Sequence, residues 1–404
     1  MKTCKLIAAV MTVFFLLTTG SALAETDAER LDRMEKEIED LKADKAREES
    51  VWSKYDMRLY GRVKVDLNYD TAEFEKYNDF IGCVKKDGTT DSVNFNPRDT
   101  RFGFEASHAT GNWTGKGRFE IDFYGDNNGD NLIPRMRLGY VDMANSATDT
   151  NVLVGQDWTP VAQLSPDTVD FGVLTAAGNL WWRIPQVTVR QQLGNTELLV
   201  SAMMHRRIDT DSAERMPWAL ARVAYNLGET GFVAAGGGYQ SNEYRYTAAD
   251  GKDIHTGKDI DRSLVALELK LSLGPVGLKA EGFWGEGLDK DFLRYDMGVN
   301  DTDPNNPKAI EAMGGFVSLT ANVTDKVRLA VGYGIDDPKN DDMKGMEGNL
   351  NARQFTQNQQ AFVNSWYQLT EGIKVGAEVV YVNTERFEHT DEGMRYTLST
   401  FYSF

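Results

Sequence analysis

The chain has 404 residues, 44 Lys plus Arg against 61 Asp plus Glu, a formal net charge of −17 and two cysteines. That acidic balance points away from a nucleic-acid partner. Beyond the first 24 residues no run approaches 18 consecutive apolar residues, which excludes a membrane-spanning helix there.

Residues 1–24 read as a secretory leader: Lys2 and Lys5 make a basic start, Leu6 to Thr19 is apolar, and Ala22-Leu23-Ala24 is a small-x-small cleavage site. Cys4 falls within it, so the secreted chain keeps only Cys83 and an intrachain disulfide is impossible. Residues 25–50 are charged and free of Gly and Pro, with Leu31, Met34, Ile38 and Leu41 at spacings of 3, 4 and 3. That is an a/d seam of about two heptads, marginal alone and stable if several chains are held together. A solvated helical linker is the other reading.

From Asp56 the period becomes two. In Met57 to Tyr69 the odd positions are apolar except Gly61, and Arg58, Arg62, Lys64, Asp66 and Asn68 lie between. Similar segments follow at 99–108, 113–124, 134–143, 151–157, 185–193, 197–205, 217–226, 231–239, 262–272, 277–284, 313–322, 326–335, 354–368, 373–382 and 394–404, making sixteen. Seven short connections alternate strictly with eight long ones. Residues 51–404 therefore read as an all-β, up-and-down antiparallel transmembrane β-barrel of sixteen strands, preceded by a short α-helical coiled-coil segment. The last strand ends on the aromatic Phe404.

Charge is sorted by region. The long loops are acidic or neutral, while the polar faces of the early strands are basic. Arg58, Arg62, Lys64, Arg101, Lys116, Arg118, Arg135, Arg137 and Arg190 are expected to point inward, with Asp66, Glu105, Glu120 and Asp122 on the same face. A narrow aqueous lumen with low-dielectric walls focuses such a field and favours anions. The same pairs could instead brace the wall. The loop from Trp158 to Ile184 is long and rich in Trp, Phe and Leu, and would be costly in water. Folding inward would narrow the pore and place Arg183 at the constriction; packing on a neighbouring protomer is the alternative.

Pro97-Arg-Asp-Thr-Arg-Phe-Gly-Phe-Glu105, Val154-Gly-Gln-Asp-Trp158, Asp170-Phe171 and Arg183-Ile-Pro-Gln186 resemble stretches of the trimeric bacterial porins, in particular the DcaP-like porins. The leader, the coil and the terminal aromatic occur in the same order. The resemblance implies an outer-membrane homotrimer of 16-stranded barrels, with coils associated in the periplasm. It also implies a contact with outer-membrane lipid and lipopolysaccharide, and a basic constriction passing small anions, dicarboxylates included. Carried onto this chain, the implied constriction residues are Arg58, Arg62, Arg101, Arg118, Arg183 and Arg190. The loop around Ala176-Ala177-Gly178 departs from the family's pattern.

No cofactor, metal or enzymatic group is expected. His108, His205, His255 and His389 are scattered without a second ligand at helical spacing. Asp126 to Asn131 starts like a calcium loop, but Asn131 stands where Gly is needed and Arg137 where a bidentate Glu is needed. Two rival functions are a poorly conducting barrel that anchors the envelope through residues 25–50, and a cation-preferring pore steered by the acidic loops.

Overall fold

The computed structural model describes residues 27–52, 55–74, 81–125, 132–205, 216–247, 253–288, 290–292, 297–347 and 354–404. The leader at 1–24 and the turn at 126–131 lie outside the described residues. Two compact units result. The first contains helix α1, Asp27–Trp52. Leu31, Met34, Ile38 and Leu41 form an apolar stripe on it, all four exposed. No helix among the described residues is long and apolar enough to cross a membrane.

The second unit is built of strands. In chain order they are β1 (Asp56–Asp70), β2 (Ser92–Asn96), β3 (Arg101–Thr110), β4 (Trp113–Asp122), β5 (Arg135–Asn145), β6 (Thr150–Trp158), β7 (Arg183–Leu193), β8 (Thr196–Met203) and β9 (Trp218–Asn226). Then come β10 (Gly231–Thr247), β11 (Asp253–Leu273), β12 (Val276–Glu286), β13 (Val299–Asn300), β14 (Lys308–Ala309), β15 (Glu311–Asn322), β16 (Val327–Pro338), β17 (Gln357–Gln368), β18 (Ile373–Glu385) and β19 (Thr390–Ser403).

Sequential strands pair antiparallel round the wall, and β19 closes the ring on β1 from Arg62↔Ser403 to Asp70↔Arg395. The Gly61 amide donates to the Phe404 carbonyl at 3.1 Å, and the Phe404 amide returns a bond to Gly61 at 3.2 Å. The terminal aromatic residue thus completes the seam. Seventeen strands share the sheet, and both β2 and β3 pair with β1, so together they occupy one wall position and the barrel has sixteen. The short β13–β14 hairpin belongs to the β12–β15 loop.

The sixteen expected strands are borne out, with two corrections. The second strand begins at Ser92 rather than 99 and is broken at 97–100. Pro97 has no N–H for the ladder, and the chain turns through a Thr100 N–H to Pro97 carbonyl bond of 3.1 Å. The β10–β11 hairpin runs on to Thr247 and Asp253, well past the expected 239 and 262. That extension carries polar residues on both faces, so hydrophobic alternation does not mark it.

The wall is inside out relative to a water-soluble protein. On β1, Val63 and Leu67 are exposed while Lys64, Asp66, Asn68 and Asp70 are buried. The same inversion sets Val265 and Leu267 against Glu268 on β11. Exposed Val and Leu beside buried charge is stable only where the outside is lipid and the inside polar. The interior is nevertheless not polar throughout. Leu264, Ala266 and Phe283 turn inward and join Leu288, Phe292, Met297, Met343, Met346 and Phe355 from the long loops in one buried cluster. The bore is apolar at this end because the long loops carry enough apolar residues to fold into it.

Candidate pore constriction

The loop 159–182 between β6 and β7 enters the bore. Leu174, Ala177, Leu180, Trp181 and Trp182 are all buried, which removes the cost of holding them in water. A loop buried this way must have its backbone groups satisfied, and wall side chains do so. Glu378 on β18 accepts the amides of Val169 and Asp170, each at 2.7 Å. Asn364, Gln360 and Asn358 on β17 donate to the carbonyls of Asp167 (2.8 Å), Thr175 (2.9 Å) and Ala176 (2.8 Å). Lys64 on β1 donates to the Val169 carbonyl at 2.8 Å, and Lys279 on β12 to that of Ser165 at 3.1 Å. Asp170 accepts from Arg395 Nη1 at 3.0 Å, and Arg395 grips Asp70 with its other two nitrogens at 2.6 and 2.8 Å.

The Ala176-Ala177-Gly178 tip explains its own composition. Gly178 has φ +89°, and a Cβ there would sit 2.1 Å from the Gly315 carbonyl oxygen; one on Gly334 would sit 2.1 Å from that of Ala177. Backbone meets backbone, so neither side can carry a side chain. Val173, Leu174 and Ala176 also have positive φ, a strain tolerated because the surrounding contacts fix the loop.

Below this loop, towards the short turns, lies a cavity of about 930 Å³. Seven basic side chains line it, Arg62, Lys64, Arg101, Arg137, Lys326, Arg328 and Lys374, against the four acids Asp99, Asp167, Asp170 and Asp325. Four of the ten basic residues expected at the pore are therefore brought together there. They are not bare. Arg62 Nη2 donates to both Asp99 oxygens at 2.6 Å, and Arg101 lies 2.8 Å from the same carboxylate. Lys64 bonds Asp66 at 2.7 Å, and Arg137 bonds Glu120 at 2.6 Å and Asp122 at 2.8 Å. The break at Pro97 is what aims Asp99 inward.

The other six are placed elsewhere. Arg135 chelates Asp122 at 3.0 and 2.7 Å. Arg118 donates to the Tyr60 hydroxyl at 2.7 Å, and Lys116 is 3.8 Å from Asp142. Arg58 is exposed, its guanidinium 5.9 Å from the Tyr60 ring. Arg190 donates to Asn151 at 3.3 Å and borders a second cavity of about 250 Å³ with Trp158 and Trp181. Arg183 is buried against Trp158, Trp182 and Trp181 at 5.0, 4.8 and 5.7 Å and is not among the residues bordering the larger cavity. Sequence reasoning missed Glu378, Lys279, Arg328, Lys374 and Arg395. The only signal they gave was an inward register on the later strands.

The described histidines make no evident metal centre. Asp87, His389 and Asp391, the last at the start of β19, approach one another, but an Arg386 guanidinium occupies the Asp391 carboxylate.

A closed ring of sixteen strands, lipid-compatible outside, charged inside and narrowed by the inward loop 159–182, defines a diffusion channel of the outer membrane. A family model for Gram-negative porins matches residues 8–386, and the chain belongs to that family. Among solved structures it is similar to the outer membrane channel DcaP of Acinetobacter baumannii, with TM-score 0.75 and 23% identity over 87% of this chain and 98% of that one. It is also similar to an anion-selective porin from Comamonas acidovorans (TM-score 0.61, 11% identity, 87% and 100% covered). A third is OmpT of Vibrio cholerae in trimer form (0.56, 14%, 87% and 99%). No curated protein sequence matches the chain significantly. The protein is thus a porin channel of the Gram-negative outer membrane.

Proposed function

We propose that this porin is a passive channel for small hydrophilic solutes with a preference for anions such as mono- and dicarboxylates. One observation carries the reading: the cavity beneath the inward loop has seven basic side chains against four acidic ones. Arginine suits such a site because its planar fork can hold a carboxylate with two hydrogen bonds while staying charged. The anion-selective porin among the structural relatives is consistent with it. In planar bilayers, purified protein should give discrete conductance steps, and succinate added to a KCl solution should reduce the chloride current. Steps unaffected by succinate would remove the carboxylate preference.

A second reading, a barrel of little conductance, has its own support in the apolar loop cluster at the long-loop end. Bilayers without steps would favour it.

The quaternary reading is a homotrimer, exported by removal of residues 1–24 and joined through residues 25–50 in the periplasm, with residues 51–404 in the membrane. With Leu31 at position a, Arg30 and Glu37 fall at g, Glu35 and Lys42 at e. A parallel in-register bundle would then pair Arg30 with Glu35 and Glu37 with Lys42 of the neighbour, each of opposite charge. A trimeric relative exists among the porins it resembles. Ile38→Ser should weaken the assembly in detergent, measured by light scattering; an unaltered trimer would show that the coil does not hold it.

A further inference from the structure

Ion pairing divides the basic side chains of the bore into two kinds. Arg62, Lys64 and Arg101 share Asp66 and Asp99, and Arg328 and Lys279 share Asp167 at 2.7 and 2.9 Å. Lys326 also has no acidic partner among the described residues, but it is exposed on the short turn before β16. Lys374 is held within the bore. Its ammonium lies 4.5 Å from the Trp366 ring centroid and 4.3 Å from that of Phe401, and among the described residues it has no acidic partner. The charged side chains nearest it among the described residues, Arg62, Arg328 and Lys64, are basic.

The wall is shaped for this arrangement. Lys374, Gly376 and Glu378 share the inward face of β18, and a Cβ on Gly376 would meet the Trp366 indole at 2.7 Å. The missing side chain lets the indole lie along the wall beside the lysine. Phe401 presents its ring to two cations, Lys374 and the Arg62 guanidinium at 5.3 Å. The two charges are therefore no more than about 10 Å apart, comparable with the Debye length at 0.1 M salt. A brace would have used a carboxylate, which cancels the charge it holds. An aromatic face holds the ammonium in position and leaves its field free to act on solutes.

We propose that Lys374 is the specificity-determining residue of the short-turn mouth, the fixed charge that draws small anions such as carboxylates or chloride through the cavity. This rests on the anion-preferring reading of the channel and assigns its origin to a lysine outside the arginine ladder.

The test is the reversal potential of the full-length protein in planar bilayers across a tenfold KCl gradient. Lys374→Gln should lower the chloride-to-potassium permeability ratio about twofold, the order expected for one screened charge beside the path, and Lys374→Arg should keep the parental ratio. Lys374→Cys gives a second handle, because Cys83 is fully buried. A cationic methanethiosulfonate should restore the parental ratio and an anionic one should push it further towards potassium. Ratios that ignore the charge at 374 in both series would overturn the proposal. A parent without chloride preference would overturn the functional reading instead, while the shift on changing position 374 still tests the lysine.

Discussion

Replacing Glu378 by Gln should loosen the inward loop where it is most firmly held. The carboxylate accepts two backbone amides at 2.7 Å and the Asn364 amide at 2.8 Å. Glutamine keeps the shape but only one oxygen, and its NH2 group then faces a backbone N–H. One charge-assisted bond of about 1.5–3 kcal/mol becomes neutral, and a buried donor is left unsatisfied at about 1–3 kcal/mol. A loss near 3 kcal/mol raises the detached population of that segment roughly a hundredfold. Lys64, Lys279, Asn358, Gln360 and Arg395 still hold the loop, so the barrel and its principal conductance level persist. Single-channel recordings should show frequent excursions to a higher level, and hydrogen exchange over 165–175 should accelerate. Parental current noise together with parental exchange would refute the latch.

Arg395→Ala should be far more damaging than a surface change. It leaves Asp70 on the wall and Asp170 on the inward loop without their shared cation, at about 3–5 kcal/mol. The heat-modifiable band on a gel should unfold at lower temperature, and Arg395→Lys should recover part of the loss; equal midpoints would contradict the buried pair. Gly178→Ala should cost more than Gly194→Ala although both glycines have positive φ, because only the first would collide with backbone. Position 194 marks the price of the left-handed conformation alone, about 1–2 kcal/mol. Equal losses in folded yield would argue that the loop tip does not meet Gly315.

The barrel was legible because lipid imposes a strict rule: Val63, Leu67, Val265 and Leu267 must alternate with polar residues whatever else the chain does. The inward path of 159–182 was legible from its tryptophans. The charge arrangement was not, because it depends on register between distant strands. Asp99 meets Arg62 across a break that only Pro97 hints at, and Arg395 finds Asp70 from the opposite end of the chain. Lys374 and Glu378 read as two ordinary polar positions on a strand, since neither the indole beside one nor the loop amides above the other can be inferred from spacing. The apolar cluster was missed for a related reason. Leu264 and Phe283 sit on the face that elsewhere carries charge, and their partners come from loops whose acidity suggested only solvent.

The most direct measurement is the reversal potential of the unmodified porin across a tenfold KCl gradient. The proposed anion preference predicts a potential on the chloride side of zero, diminishing as salt is raised and the field is screened. A potential on the potassium side would mean that the acidic loops, and not the cavity beneath 159–182, govern what passes.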